Sequence, residues 1–540
     1  MKWIQNPTLF LNVEEAILTM SGENKQTLLA PKEEQPKDIC GIPEIADIIK
    51  HTPKDAQIVI VGDYDADGIT ATAILTKLLS GMGHRVKPII PKRFTNGYGV
   101  SDAILEGIQN SLIITVDNGI TAGEVLDKAV SEGNNTVAVI DHHLPDGREP
   151  QMASVICDPH MEGDTSPFKD YCGAGLAFKL AQYILRSDYA DTAPDDMLVL
   201  ACIGTIADSM PLIGDNRAIV MQGLRLINSG EARLSAGINY LLWTACGGKE
   251  MDEETIGFTV APLINAPGRL FNAGGTSVLK ALLCTDPEEA RGYISKMVSI
   301  NADRKEQVEK WMKAIQNAIN AAGSIQTPLV VYAKEMPEGL VGLVAGKLAE
   351  IYHTPTIVLV DTDDGVVKGS GRSFGSFDMK GMLDALSDKL LAYGGHTGAA
   401  GLSLAKESVK EFRQAAREYC KNLGMQEGGE YIQYDVVLRP DEVPEAMATM
   451  KRYKPFGQGV PKPVCMIQDF QVRDVFEMGT DKTHVKLIGD KFSAVAFGMA
   501  QKYRNMCSPE HVDIVGTLGE NVFRDEVTIQ VLTQDFQTHA

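Results

Sequence analysis

The stretch Gln57-Ile58-Val59-Ile60-Val61-Gly62-Asp63-Tyr64-Asp65-Ala66-Asp67-Gly68 decides the fold. Its first five residues are apolar and mostly β-branched, as a strand buried on both faces of a parallel sheet has to be. An acidic loop over 63–68 stops the strand, and the breaker-poor run 69–82 predicts a helix. Working outward, the same unit recurs. Residues 111–116 predict a second strand ending at Asp117, and 136–140 a third ending at Asp141. Strand, polar turn and helix alternate from about residue 57 to 230. That alternation predicts an α/β domain, an open parallel sheet with helices on both faces.

Further along, Asp286 suits an N-cap, Pro287 the first helical position, and Glu288 and Glu289 the positive end of a helix. Few breakers follow before Gly323. At 1.5 Å per residue this predicts a connecting helix about 50 Å long, or two helices broken near Asn301. Residues 328–332 and 355–360 predict strands of a second, smaller α/β domain, with Gly-rich stretches at 369–375 and 394–401. From about residue 430, short strands and repeated turn residues predict a small β-barrel of the OB type. The expected division is therefore 1–284, 285–323, 324–427 and 428–540.

Composition narrows the function classes. A chain 44% hydrophobic and 23% charged is that of an ordinary globular protein. The start, Met1-Lys2-Trp3-Ile4-Gln5-Asn6-Pro7, lacks the apolar stretch of a signal peptide, and no apolar run approaches the roughly 18 residues that cross a bilayer. A cytoplasmic protein without a membrane partner is expected. The nine cysteines form no Cys-x-x-Cys pair, which argues against a thiolate zinc site. A net charge of −20 argues against a general nucleic-acid coat, because such a coat works by a basic face that releases counterions. A local basic channel inside an acidic exterior is still compatible with that charge.

In open α/β sheets, ligands bind beyond the carboxyl ends of the strands. Asp63, Asp65, Asp67, Asp117 and Asp141-His142-His143 should therefore converge in one crevice, joined by Asp208 after the apolar run 198–207. Carboxylates forced together repel and raise one another's pKa values. Hard divalent cations relieve this, Mg²⁺ or Mn²⁺, with the histidines suiting Mn²⁺. Two such ions about 3.5–4 Å apart clamp the attacking and leaving oxygens of a phosphoryl transfer. A calcium loop of the Asp-x-Asp-x-Asp-Gly type would want Glu at its twelfth position, where Ile74 stands. Gly173-x-Gly175 lacks the third glycine of a dinucleotide fingerprint. Tyr98, near Arg93, can stack on a base, and His396 lies in a Gly-rich turn that lets a phosphate approach. Phe456, Phe476, Phe497 and Phe523 are expected as barrel core.

The chain resembles the DHH phosphoesterase family in Asp63-Tyr64-Asp65-Ala66-Asp67-Gly68, Asp117-Asn118-Gly119-Ile120, Asp141-His142-His143 and Ala207-Asp208. Within it, the chain is similar to the RecJ-type single-strand-specific exonucleases. Matching stretches are Asn96-Gly97-Tyr98-Gly99, Phe168-Lys169-Asp170-Tyr171-Cys172-Gly173-Ala174-Gly175, Asn265-Ala266-Pro267-Gly268-Arg269-Leu270, Gly369-Ser370-Gly371-Arg372-Ser373, Gly394-Gly395-His396-Thr397-Gly398-Ala399-Ala400-Gly401 and Pro455-Phe456-Gly457-Gln458-Gly459. The resemblance implies Asp65, Asp67, Asp117, His142 and Asp208 as ligands of two divalent cations, Mn²⁺ or Mg²⁺, with Asp117 bridging and Asp63 assisting. It implies His143 at the scissile phosphate and Asp141 orienting the histidines. It further implies nucleic-acid contacts from Arg93, Tyr98, Arg269, Ser370, Arg372 and His396. The implied activity is 5′-to-3′ hydrolysis of single-stranded DNA to mononucleotides in repair and recombination, with a single-strand-binding protein and a helicase as partners. Two positions depart from the pattern, Val460 and Glu338. A small-substrate phosphoesterase and a non-catalytic scaffold are the competing readings. The barrel speaks against the first and the filled acid positions against the second.

Overall fold

The computed structural model describes residues 2–95, 99–188, 194–323, 325–362, 365–424, 431–479, 481–523 and 526–539. The chain begins with β1 (Lys2–Phe10), which joins the third sheet below. Strands β2 (Gln57–Val61), β3 (Arg85–Ile89), β4 (Leu112–Val116), β5 (Thr136–Ile140) and β6 (Val155–Cys157) then build a sheet in the order β3-β2-β4-β5-β6, every pair parallel. Alternate residues enter two cores, as a doubly covered sheet requires. Ile58, Ile60, Ile114 and Ala138 pack into the larger core, while Val59, Val61, Ile113 and Val137 pack into a smaller one on the opposite face.

The helix expected over 69–82 is found at Ala66–Gly81. It starts three residues early because Asp65 caps it, accepting from the Gly68 N–H at 3.1 Å. Gly68 is required at that tight corner, since a Cβ there would lie 2.5 Å from the Asp63 nitrogen. The connecting helix, Pro287–Ala322, is one unbroken element of 36 residues. Asp286 caps it, accepting from the Glu288 and Glu289 N–H groups, and no break occurs at Asn301.

The second α/β domain has β7 (Leu329–Tyr332), β8 (Thr356–Asp361), β9 (Val366–Arg372), β10 (Ala392–His396) and β11 (Ala399–Ala405), in the order β10-β11-β9-β8-β7. Only β7 and β8 run parallel, so the Gly-rich stretches are strand and hairpin of a mixed sheet. The third sheet adds β12 (Tyr431–Leu438), β13 (Cys465–Gln471), β14 (Asp474–Met478), β15 (His484–Ile488), β16 (Ser493–Ala496), β17 (His511–Phe523) and β18 (Glu526–Thr538). Its order is β1-β12-β13-β17-β18-β16-β15-β14.

Here the structure corrects the expected division. Residues assigned to 1–284 begin in the barrel sheet: β1 pairs in parallel with β12, and Phe10, Val13, Ala16, Ile17 and Leu28 lie in the barrel's core. Pairing between segments more than 400 residues apart leaves no local pattern to read. Arg217, fully buried in the helix Gly214–Ser229, secures the junction. Its guanidinium donates to main-chain carbonyls of Leu28 (2.6 Å), Tyr453 (2.7 Å) and Pro455 (2.8 Å). The barrel aromatics also differ from expectation. Phe456 is core, but Phe476 and Phe497 are 60% and 58% exposed.

Candidate metal and phosphate site

The main-chain ladder runs one residue past each strand and sets the acids at one edge. The Asp117 N–H donates to the Ile140 carbonyl at 3.0 Å, and the Asp141 N–H to that of Cys157 at 3.0 Å. Asp117 adopts φ +61, a left-handed conformation that costs a non-glycine residue free energy and is typical of functional sites. Asp67 sits in the first helical turn. Its carboxylate accepts from the N–H groups of Gly173 (2.7 Å) and Ala174 (2.9 Å), at the start of the helix Gly173–Asp188. Gly173 admits this approach, because a Cβ would meet that of Asp117 at 2.5 Å. Asp208 follows the helix Pro194–Ala207.

These elements gather three groups whose donor atoms lie within 4.8 Å of one another: Asp63 with Asp65 and Asp117, Asp67 with His142 and Asp208, and Asp117 with His142 and His143. Asp117 belongs to two of them. His142 Nε2 stands 3.0 Å from Asp117 Oδ1, 3.7 Å from Asp208 Oδ2 and 3.9 Å from Asp67 Oδ2. His143 lies beside His142, ring centroids 4.5 Å apart, and shares a 2.7 Å hydrogen bond between its Nδ1 and Asp141 Oδ1. Asp141 also accepts from the N–H groups of His142 (2.8 Å) and Ile120 (2.9 Å), so it fixes both histidines from beneath.

Burial, with the negative charge of the neighbouring aspartates, raises the carboxyls of Asp63, Asp65, Asp117 and Asp208 above their ordinary range. Burial holds His142 down, and the adjacent His143 adds to this, leaving a neutral imidazole fit for a ligand. Burial also opposes a proton on His143, but the bond to Asp141 and the surrounding carboxylates push it up to about 9. The decisive observation is Asp63. Neither of its buried carboxylate oxygens has a hydrogen bond of normal geometry among the described residues, and the main chains of Tyr64 and Gly99 offset its burial only in part. Such an arrangement is costly unless a cation neutralises it. Buried carboxylates, one neutral imidazole and orphaned oxygens fit two hard divalent cations.

A cationic cluster borders the acids. Arg93 lies with its guanidinium carbon 4.9 Å from the Tyr64 ring centroid. Arg269, near the end of the helix Ala261–Leu270, extends toward the Gly339 carbonyl at 3.5 Å, bridging to the second domain. Burial and the nearby charges of Arg93 and Arg304 push Arg269 down to about 10, with Arg372 adding and Asp65 opposing. On β9, Arg372 donates to Ser370 Oγ at 2.8 Å and to the Gly371 carbonyl at 3.0 Å. The strand register places Arg372 beside Ala399, and Ala399 beside His396. His396 itself is exposed, its Nδ1 accepting from the Gly398 N–H at 3.1 Å. Tyr98 lies outside the described residues. The two departures are absorbed locally: Glu338 pairs with Lys368 at 3.2 Å, and Val460 is barrel core.

Residues 57–205 match the DHH family, N-terminal domain, 326–422 the DHHA1 domain, and 434–535 the RecJ OB domain. The single-stranded-DNA-specific exonuclease RecJ of Dickeya dadantii is 30% identical over 529 residues, covering 92% of this chain and 90% of that protein. The chain belongs to the RecJ family. The RecJ of Bacillus subtilis is 34% identical over 512 residues, covering 93% of this chain; the match spans 64% of that longer protein. The crystal structure of Thermus thermophilus RecJ with Mn²⁺ superposes with a TM-score of 0.80 at 26% identity, covering 98% of this chain and 76% of that one. Its Mg²⁺ complex gives 0.75 at 25% identity, with 98% and 75% coverage. Among the described residues, no helix is long and apolar enough to cross a membrane.

Sequence reading missed Arg304 of the connecting helix, whose charge reaches Arg269, and the buried Asn301 one turn before it. The signal was present: they interrupt an otherwise apolar stripe.

Proposed function

We propose that this chain is a metal-dependent exonuclease that hydrolyses phosphodiester bonds of single-stranded DNA from the 5′ end, releasing mononucleotides. The observation that carries the reading is the juxtaposition of crowded, buried carboxylates with a cluster of half-buried arginines, one built to hold cations and the other anions. Asp63, Asp65, Asp67, Asp117, His142 and Asp208 would hold two Mn²⁺ or Mg²⁺ ions. Bound there, the ions supply charge neutralisation and an activated water for in-line attack at phosphorus. Asp141 aims His143 by its hydrogen bond and favours the protonated ring, which faces a phosphoryl oxygen as a donor. Arg93, Arg269, Ser370, Arg372 and His396 bind strand phosphates from the facing elements. Arginine suits this task because its planar fork matches phosphate bidentately.

The connecting helix sets the two α/β domains across from each other, and the barrel grips the incoming strand. A duplex is too stiff, with a persistence length of about 150 base pairs, to bend into such a cleft. In cytoplasmic repair and recombination, a helicase and a single-strand-binding protein are the proposed suppliers and keepers of the unpaired strand. End-labelled single strands and blunt duplexes, digested with Mn²⁺, Mg²⁺ or chelator, test the reading. Single strand should shorten from its 5′ end only with added metal. Duplex cleaved at an equal rate, or cleavage in chelator, would overturn it.

A further inference from the structure

The connecting helix buries a stripe at Ala290, Ile294, Met297, Asn301, Val308, Met312 and Ile315. The spacing of three and four residues is that of one helix face, and Arg304 fills the gap between Asn301 and Val308. The stripe begins in the first domain's core, at Ile294 and Met297, and ends in the second domain's core, at Val308, Met312 and Ile315. Where the helix crosses between the two cores, its apolar side chains give way to an amide and a guanidinium. Neither is explained by the fold. Asn301 is 6% exposed with no partner for its Oδ1, and Arg304 has a buried Nε without a partner among the described residues. No carboxylate pairs with Arg304 among the described ion pairs, while the charge of Arg304 reaches Arg269. Buried polar groups left unsatisfied cost free energy, so they persist where a ligand completes them.

We propose that the connecting helix is itself a substrate contact: Arg304 binds a strand phosphate beside Arg269, and Asn301 hydrogen-bonds the same nucleotide. This rests on the reading of single-stranded DNA as substrate. The helix is then more than a spacer, since one nucleotide touches both domains and the element that joins them.

The test separates binding from structure. In Arg304→Met and Asn301→Leu an apolar side chain completes the stripe, so thermal stability should hold or rise. Binding of a labelled oligothymidylate is followed by anisotropy in chelator, where no cleavage occurs, over a range of salt. Arg304→Met should weaken binding about tenfold, ~1.4 kcal/mol. It should also flatten the salt dependence by about 0.7, the slope expected for one lost phosphate contact on a single strand. Asn301→Leu should weaken binding with the salt slope unchanged, because it removes no charge. A scan of single neutral methylphosphonates should find one linkage at which wild type loses the same slope and Arg304→Met loses nothing more. A wild-type protein that does not bind the strand would refute the substrate reading. A wild type that binds, with an Arg304→Met slope equal to its own or no such linkage in the scan, would refute this inference alone.

Discussion

Exchanging Asp117 for Asn should stabilise the metal-free protein and destroy its response to metal. Asp117 is 3% exposed, and its donor oxygen lies within 4.8 Å of those of Asp63 and Asp65. At that separation and an effective dielectric of about 20, each like-charge pair costs roughly 332/(20 × 4.8) ≈ 3.5 kcal/mol. The pocket relieves this by retaining protons, as the raised carboxyls of Asp63, Asp65, Asp117 and Asp208 indicate. Protonating a carboxyl of ordinary value 3.8 at pH 7 costs about (7 − 3.8) × 1.36 ≈ 4.4 kcal/mol, which caps the repulsion. An amide of the same shape removes much of that, so metal-free Asp117→Asn should be ~1–3 kcal/mol more stable than wild type. With Mn²⁺ at about 100 times its Kd, wild type gains about 2.7 kcal/mol per site. The variant lacks the carboxylate common to two donor groups and gains little. At about 2–4 °C per kcal/mol, each occupied site should raise the wild-type melting temperature roughly 5–10 °C above its value in chelator. The variant in chelator should melt above wild type in chelator, and its hydrolysis should fall by orders of magnitude. Calorimetry of both proteins with and without Mn²⁺ reads the crossing. A variant that melts below wild type in chelator would mean that protein groups, not a cation, satisfy this carboxylate, and the cation-pocket reasoning would be wrong.

Carboxyls held above their ordinary value keep protons in the folded state that the unfolded chain has released, so metal-free stability should fall as pH rises above about 4. The melting increment given by Mn²⁺ should accordingly grow from about pH 5 to about pH 7.5, and a flat increment measured by calorimetry would contradict this. His142→Ala should weaken Mn²⁺ affinity in a titration, whereas His143→Ala should largely keep affinity and lose turnover. Equal loss of affinity in both would end that division of labour. Arg372→Lys should lower kcat/KM on oligonucleotides about tenfold, because Lys cannot copy a bidentate fork; an unchanged value would remove Arg372 from the site. Arg217→Met should cost on the order of 3–5 kcal/mol by leaving buried carbonyls unpaired. It should split one calorimetric transition into two, and a single transition at the wild-type temperature would show that the junction does not depend on it.

The parallel sheet was legible because strands such as Ile58–Val61 are continuous apolar runs and their turns are acidic. The convergence of the acids was legible because the pattern is local, with each acid following a strand or helix that can be recognised on its own. What stayed hidden depends on distance in sequence. No pattern in residues 2–10 announces pairing with Tyr431–Leu438. The start of the helix at Ala66 was misplaced because Asp65 reads as loop until its cap is seen. Phe476 and Phe497 were placed inside because apolar residues are usually buried, a rule that fails on an edge strand or a turn. Asn301 has the low helix propensity of a possible break, yet in the fold it marks a polar gap in a buried stripe. Propensity sees the residue, whereas the stripe is seen only along the whole helix.

The parallel pairing of β1 with β12 sets an order of events during synthesis. Phe10 leaves the ribosome 431 − 10 = 421 residues before Tyr431, its partner strand's first residue. At about 5–20 residues per second, the first strand waits roughly 20–85 s for its neighbour. The parallel sheet at Gln57–Cys157 can close in that interval, but the barrel cannot, because its edge strand is already made and its remaining strands are not. The nascent chain must therefore carry an unpaired strand, with Phe10 and Ile17 uncovered, through most of translation. A C-terminal truncation does not excise a module cleanly either. It leaves Phe10, Val13, Ala16 and Ile17 without the barrel strands that bury them.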